Sequence, residues 1–258
     1  MSEALITLAD VAFSYPGHPV LSAVNFQLHP GERVALLGEN GAGKTTLLQL
    51  MVGLHKPTRG RIHAFGGERR SEQDFREVRG KAGLLFQDAD DQLFCPTVLE
   101  DVIFGPRNLG RSETEAKAIA EQVLASLGLS RYADRITHKL SGGEKRMISL
   151  ATVLAMQPQV LLMDEPTNGL DEKAEQRLLA HLESLPQAML FVSHDRKLVE
   201  RLATRAVLIQ DGTLIEGVMH SHPHVHTHSH LHIHAAGQDA GHHHDGSVPE
   251  HQHTHGEG

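Results

Sequence analysis

The sequence predicts an α/β fold of the phosphate-loop nucleotide-hydrolase type: a mixed core sheet with an antiparallel β subdomain and a helical subdomain, followed by a disordered C-terminal tail. Three observations predict it. Residues 38–45 read GENGAGKT, the Gly-x4-Gly-Lys-Thr spacing of a phosphate-binding loop, with an apolar strand before it and a helix after it. Two further short apolar runs, VLLM at 160–163 and AMLFV at 188–192, each close on polar residues, as core strands of a parallel sheet do. At residue 220 the composition turns to histidine, glycine, serine, threonine and proline, which is a low-complexity tail and not a core.

In chain order, Ala4 to Tyr15 alternates well enough for an edge strand and Val24 to His29 for a second, with Pro16-Gly17-His18-Pro19 as the turn between them. Tyr15, an aromatic at a strand end just upstream of the nucleotide loop, is placed to stack on a base; an ordinary strand aromatic is the competing reading. Arg33 to Leu37 forms the strand that feeds the phosphate loop. Gly38, Gly41 and Gly43 let successive N–H groups turn inward, and the helix from Thr46 to Val52 adds its positive end, so the loop attracts phosphate oxygens. Lys44 would reach the β- and γ-phosphates and Thr45 would give its hydroxyl to Mg2+.

Gly60 to Gly67 reads as a strand and turn, and Lys81 to Phe86 as a core strand closed by Gln87. Ligands of open α/β sheets sit at the carboxyl ends of strands, so Gln87 faces the phosphate loop and can touch Mg2+ or the attacking water. From about 88 to 156 the chain reads as a mostly helical insertion. It opens as a loop carrying Pro96 and Pro106, shows helical periodicity from Glu113 to Leu127, and ends in a helix entered through Leu140 to Arg146 (LSGGEKR) and running to Ala155. Ser141 is an apt N-cap, and Gly142-Gly143 leaves a helix start whose N–H groups suit an anion; a plain cap explains the same residues.

Asp164-Glu165 ends the 160–163 strand. Two adjacent carboxylates there are costly to keep together unless a cation or a proton intervenes, so Asp164 is the expected Mg2+ partner and Glu165 the expected water-activating base; two surface acids before a Pro-bounded turn are the competing reading. A helix from Asp171 to Leu185 follows. His194 then closes the 188–192 strand, the third polar strand end aimed at one edge, and a strand from Ala206 to Gln210 with an Asp211-Gly212 hairpin turn completes the folded part, residues 1–219.

Taken together, residues 4–217 resemble the ATPase subunit of ATP-binding-cassette (ABC) transporters. The motifs stand in family order: Tyr15 as adenine-stacking aromatic, GENGAGKT, Gln87 as the Q-loop, LSGGEKR as the signature, VLLMDEP as the Walker B strand, Asn168 to Asp171 as the D-loop and His194 as the switch histidine. The resemblance implies ATP and Mg2+ as ligands. Gly38, Glu39, Asn40, Gly41, Ala42, Gly43, Lys44, Thr45 and Thr46 would surround the phosphates, with Thr45, Gln87 and Asp164 around Mg2+. It also implies a head-to-tail homodimer in which Ser141, Gly142 and Gly143 of one copy meet the nucleotide of the other and Asp171 lines the interface. Hydrolysis would use Glu165, His194, Gln87 and Lys44.

The stretch FQDADDQLF at 86–94, with Pro96-Thr97-Val98, Glu100-Asp101-Val102 and Phe104-Gly105-Pro106, resembles more narrowly the energy-coupling-factor branch and its nickel and cobalt uptake subunits. That implies membrane-embedded partners engaged through Asp88 to Pro106, a peripheral position on the cytoplasmic face of the membrane, and uptake of a transition-metal cation, Ni2+ or Co2+. The alternatives are another substrate, such as zinc or a vitamin, an exporter, or a soluble cassette with a metal-buffering tail.

Histidines 220, 222, 224, 226, 228, 230, 232 and 234 recur at every second residue: His220, His222, His224, His226, His228, His230, His232 and His234 would share one side of an extended chain. Neutral imidazole suits Ni, Co, Cu and Zn, so the tail, residues 220–258, is expected to hold a late divalent metal; a passive polar tail is the competing reading.

Composition narrows the rest. The formal charge of −8 provides no basic footprint for nucleic acid. No apolar run reaches the length of a membrane span and no secretory signal opens the chain. The single cysteine, Cys95, precludes an internal disulfide, fits a reducing compartment and reads as an unreactive thiol. About a hundred residues separate Thr45 from Ser141, too few for the long coiled coil of DNA-repair cassettes.

Overall fold

The computed structural model describes residues 3–223 and 229–235. Two sheets form the frame. The smaller is antiparallel, with β1 (Ile6–Tyr15), β2 (His18–Leu28), β4 (Arg59–Ala64) and β5 (Gly67–Arg69) in the order β2-β1-β4-β5. The larger runs β11-β10-β9-β3-β8-β7-β6 and is built from β3 (Arg33–Leu37), β6 (Ala82–Leu85), β7 (Val160–Asp164), β8 (Ala188–Val192), β9 (Arg205–Gln210), β10 (Thr213–Pro223) and β11 (Ser229–Ala235). From β9 to β6 its pairings are parallel. The chain turns for these strands therefore collect at one edge, where β3, β6, β7 and β8 all end.

Alternation within the buried strands explains how the layers assemble. In β3, Ala35 faces one core while Val34 and Leu36 face the other; in β7, Leu161 and Met163 are divided from Val160 and Leu162 in the same way. One core holds the helices α3 (Val98–Asn108), α4 (Glu113–Ser126), α5 (Gly142–Ala155), α6 (Glu172–Ser184) and α7 (Arg196–Leu202). The other packs α1 (Lys44–Met51) and α2 (Glu72–Lys81) together with the apolar side of the small sheet, including Ile6, Leu8, Val11 and Phe26. A strand with alternate residues committed to two apolar layers is buried on both faces, which is why these segments read as continuous hydrophobic runs.

Several expectations need correction. β1 is not an edge strand: β2 takes one of its edges and β4 the other, and β2 already starts at His18, leaving Pro16-Gly17 as the turn. Helices α2, α3 and α7 were not anticipated. α2 has a capping box, Ser71 with Asp74, and α3 another, Thr97 with Glu100. Pro106 suggested a loop, yet it stands within α3, near its C-terminal end. The boundary expected at 219/220 is a compositional one and is kept as a proposal; β10 runs on to Pro223 and pairs antiparallel with β11. The period-two histidine pattern that marked the tail is also the period of a strand. His224, His226 and His228 and residues 236–258 lie outside the described residues.

Candidate functional site

The polar edge of the large sheet is built from strand ends. β3 runs into the phosphate loop, where Gly38, Gly41 and Gly43 have φ of +146°, +82° and +101°. Gly38 is the position where glycine is compulsory: an added Cβ would lie 2.5 Å from the Ile209 side chain and 2.7 Å from its carbonyl oxygen. Lys44, buried at the start of α1, donates to the carbonyls of Gly38 at 2.7 Å and Glu39 at 2.8 Å. Burial lowers its pKa, and the nearby Glu165 and Asp164 carboxylates oppose that shift. An ammonium short of hydration and backed by helix α1 is suited to a polyanion.

Thr45 donates its hydroxyl to Asp164 Oδ2 at 2.5 Å, joining the first turn of α1 to the end of β7. Hydroxyl, buried carboxylate and the Gln87 amide are all oxygen-bearing side chains on one cleft of about 500 Å³, which Tyr15, His18, Val20, Asn40, Gly41, Gly43, Thr46, Glu165 and Val192 also line. That donor set fits Mg2+, a hard cation that takes oxygen ligands. Glu39 and Ala42 line an adjoining cleft bordered by the β9–β10 turn.

Among the described residues Glu165 is one of five non-glycines with positive φ, at +45°, in the left-handed region that a side chain with a Cβ visits at some strain. Its backbone N–H donates to Val192 O at 3.0 Å, crossing to the end of β8. There its carboxylate accepts from the His194 backbone N–H at 3.3 Å and lies 3.3 Å from His194 Nε2. The two strand ends expected to meet thus do so, with the carboxylate largely shielded and the imidazole exposed.

Tyr15 stands at the cleft mouth, 39% exposed, with its hydroxyl 3.4 Å from Thr46 Oγ1 and 3.3 Å from His55 Nε2 and its ring edge-on to Phe13. His55 was not foreseen in this role.

Ser141 caps α5 in a capping box, accepting from Glu144 N–H at 3.3 Å while its own N–H donates to the Glu144 carboxylate at 2.8 Å. That carboxylate is held below its ordinary 4.5, first by this backbone bond. Among the described residues, Ser141, Gly142, Gly143 and Asp171 do not line the cleft of Lys44. Gly142 borders a second cleft of about 540 Å³ with Gln87, Asp88, Lys145, Arg146 and Asn168. Asp171 caps α6 through Ala174 N–H at 2.8 Å. Asp101 is buried and gathers Phe94 N–H, Cys95 N–H and the Thr137 hydroxyl.

Two residues that join these parts were missed. Arg146 is 2% exposed, and its guanidinium donates to the carbonyls of Pro166 at 2.8 Å, Asp164 at 2.9 Å, Glu165 at 2.5 Å and Phe86. Burial lowers its pKa to about 10, which leaves it charged at neutral pH. Gln92 donates to Ser149 O and Thr152 Oγ1 on α5 and accepts from Phe86 N–H. Phe86, the residue before Gln87, is therefore held at both its N–H and its C=O by side chains on or bound to α5. The available signal was a charged residue on the otherwise apolar side of α5, three and four residues before Ser149 and Leu150.

A phosphate loop, an adjacent carboxylate pair and a polar strand end on one sheet edge define a nucleoside-triphosphate hydrolase. The ABC transporter family profile matches residues 21–168. A putative ABC transporter ATP-binding protein of Brucella suis biovar 1 (strain 1330) is 54% identical over 220 residues, covering 85% of this chain and 92% of that protein. The cobalt import ATP-binding protein CbiO of Rhodobacter capsulatus is 44% identical over 217 residues, covering 82% and 77%. Among solved structures, the ATP-binding cassette MJ0796, a dimer in a post-hydrolysis state with ADP and phosphate, superposes with a TM-score of 0.73 at 27% identity, covering 81% of this chain and 96% of that one. The chain belongs to the ABC transporter family and is its ATP-hydrolysing subunit. No helix among the described residues is long and apolar enough to cross a membrane.

Proposed function

We propose that two copies of this chain close over shared ATP and drive membrane-embedded partners that import a transition-metal cation, Ni2+ or Co2+, from a peripheral position on the cytoplasmic face. The observation that carries the chemistry is the Glu165 carboxylate, held 3.3 Å from His194 Nε2 and beside the Thr45–Asp164 pair. Glu165 takes a proton from the attacking water, and His194 keeps that carboxylate aimed across the cleft. Lys44 exchanges its two carbonyl partners for β- and γ-phosphate oxygens, an exchange favoured by its desolvation. Thr45, Asp164 and Gln87 would hold Mg2+, which when bound neutralises charge on the phosphate oxygens.

Tyr15 offers its ring to the adenine, and Ser141, Gly142 and Gly143 of the opposite copy complete the phosphate shell, with Asp171 at the interface. The separation of the signature from the cleft of Lys44 within one chain is what a site completed by a second copy requires. The choice of cargo is supported by the cobalt-import relative and by the histidines of the tail, which we read as a store for imported metal. Glu165→Gln removes the base while leaving the fold: phosphate release should fall at least ~100-fold, the scale of a lost general base, with ATP-dependent dimerisation retained on a sizing column. Unchanged hydrolysis would remove Glu165 from this role. Vesicles carrying the co-purified membrane subunits should take up Ni2+ or Co2+ only with ATP; uptake of neither would refute the cargo.

A further inference from the structure

The last residue of β10 that pairs with β9 is Gly217, opposite Ala206. Beyond it β10 pairs only with β11, so residues 218–223 and 229–234 form a two-stranded ribbon that leaves the sheet at the end away from the phosphate loop. The register of this ribbon sets His220 opposite His232 and His222 opposite His230, with His234 opposite Val218. Directly opposed residues of an antiparallel pair share a face, and so do alternate residues of one strand. The four histidines therefore occupy the corners of a rectangle on one face, ~5 Å across the strands and ~7 Å along them.

Resting on the reading of the tail as a metal store, we infer that His220, His222, His230 and His232 form one defined site for a late first-row divalent cation, distinct in affinity from the other tail histidines. Four neutral imidazoles with no carboxylate among them suit Ni2+, Co2+, Cu2+ or Zn2+ and disfavour Mg2+ and Ca2+. Opposed strands supply what a single extended chain lacks, two ligand pairs brought together at fixed spacing. A two-stranded ribbon is marginally stable alone, so an ion that binds only the paired form stabilises the pairing by mass action.

The test is calorimetric titration of the full chain, produced without an affinity tag, with Ni2+, and in parallel the visible absorption of Co2+ as it binds. Wild type should show one tight class of site above a weaker background. The quadruple variant H220A/H222A/H230A/H232A should lose that class, with affinity falling ~100-fold or more, while H242A/H243A/H244A/H251A should keep it. Equal losses in the two quadruple variants would overturn the ribbon site and leave the tail store standing. Full Ni2+ uptake by a chain ending at residue 219 would overturn both.

Discussion

Replacing Arg146 by methionine tests how the site is held together. Methionine fills a similar volume, so the change removes hydrogen bonds more than packing. Four carbonyls lose a charged donor, those of Phe86, Asp164, Glu165 and Pro166, and bonds to charged groups contribute ~1.5–3 kcal/mol each. Against that stands the cost of burying the cation: a pKa lowered from 12.5 to about 10 corresponds to ~3 kcal/mol at 1.36 kcal/mol per unit. The difference spans ~3–9 kcal/mol; breaking a buried charged cluster costs ~3–5 kcal/mol, so the lower end of that span is expected, with a melting point lower by roughly 10 °C. Catalysis should suffer beyond stability. The Glu165 peptide, at φ +45°, loses the donor that holds its carbonyl, so kcat should drop ~10- to 100-fold, or ~1.4–2.7 kcal/mol. KM for ATP should change less than about threefold, since Lys44 and the loop are untouched. Arg146→Lys keeps the charge but not the fork and should fall between. The assays are thermal unfolding by circular dichroism and phosphate release measured below both midpoints. A methionine variant that melts with the wild type and turns over at the same kcat would refute the clamp.

Gly38→Ala should abolish ATP binding measured by fluorescent-nucleotide titration and destabilise the chain by at least ~2 kcal/mol, because the new Cβ meets the Ile209 carbonyl, a backbone atom that cannot swing away. Acid should loosen the start of α5. Glu144 has a folded pKa below its ordinary 4.5, so its stabilisation is present above that value and disappears as pH falls through the lowered one. Glu144→Gln should therefore flatten the fall in stability below pH ~4.5, by ~1 kcal/mol for a cap, in denaturant titrations at pH 7 and pH 3.5.

Local chemistry was enough for much of this protein. The loop at 38–45 announces itself because glycine spacing and a lysine are required within eight consecutive residues, and the strand ends carrying Gln87, Asp164, Glu165 and His194 announce themselves because an apolar run that stops on polar residues marks where a core strand leaves the core. Capping boxes at Ser71 and Thr97 were equally local, yet the helices they open are so polar, or so interrupted by Pro106, that periodicity passed over them. What the tertiary structure alone decided lies in pairings between distant segments. β1 became a central strand because β4, some fifty residues later, takes its free edge. Arg146 became a clamp because helix α5 passes beneath the ends of both β6 and β7. Residues 217–223 became one strand of a pair because β11 lies alongside them in one register. A residue's own neighbours in the chain set its backbone preference and its chemistry; which carbonyl or imidazole it will meet depends on how sheets and helices close around it, and that is a property of the whole packed chain.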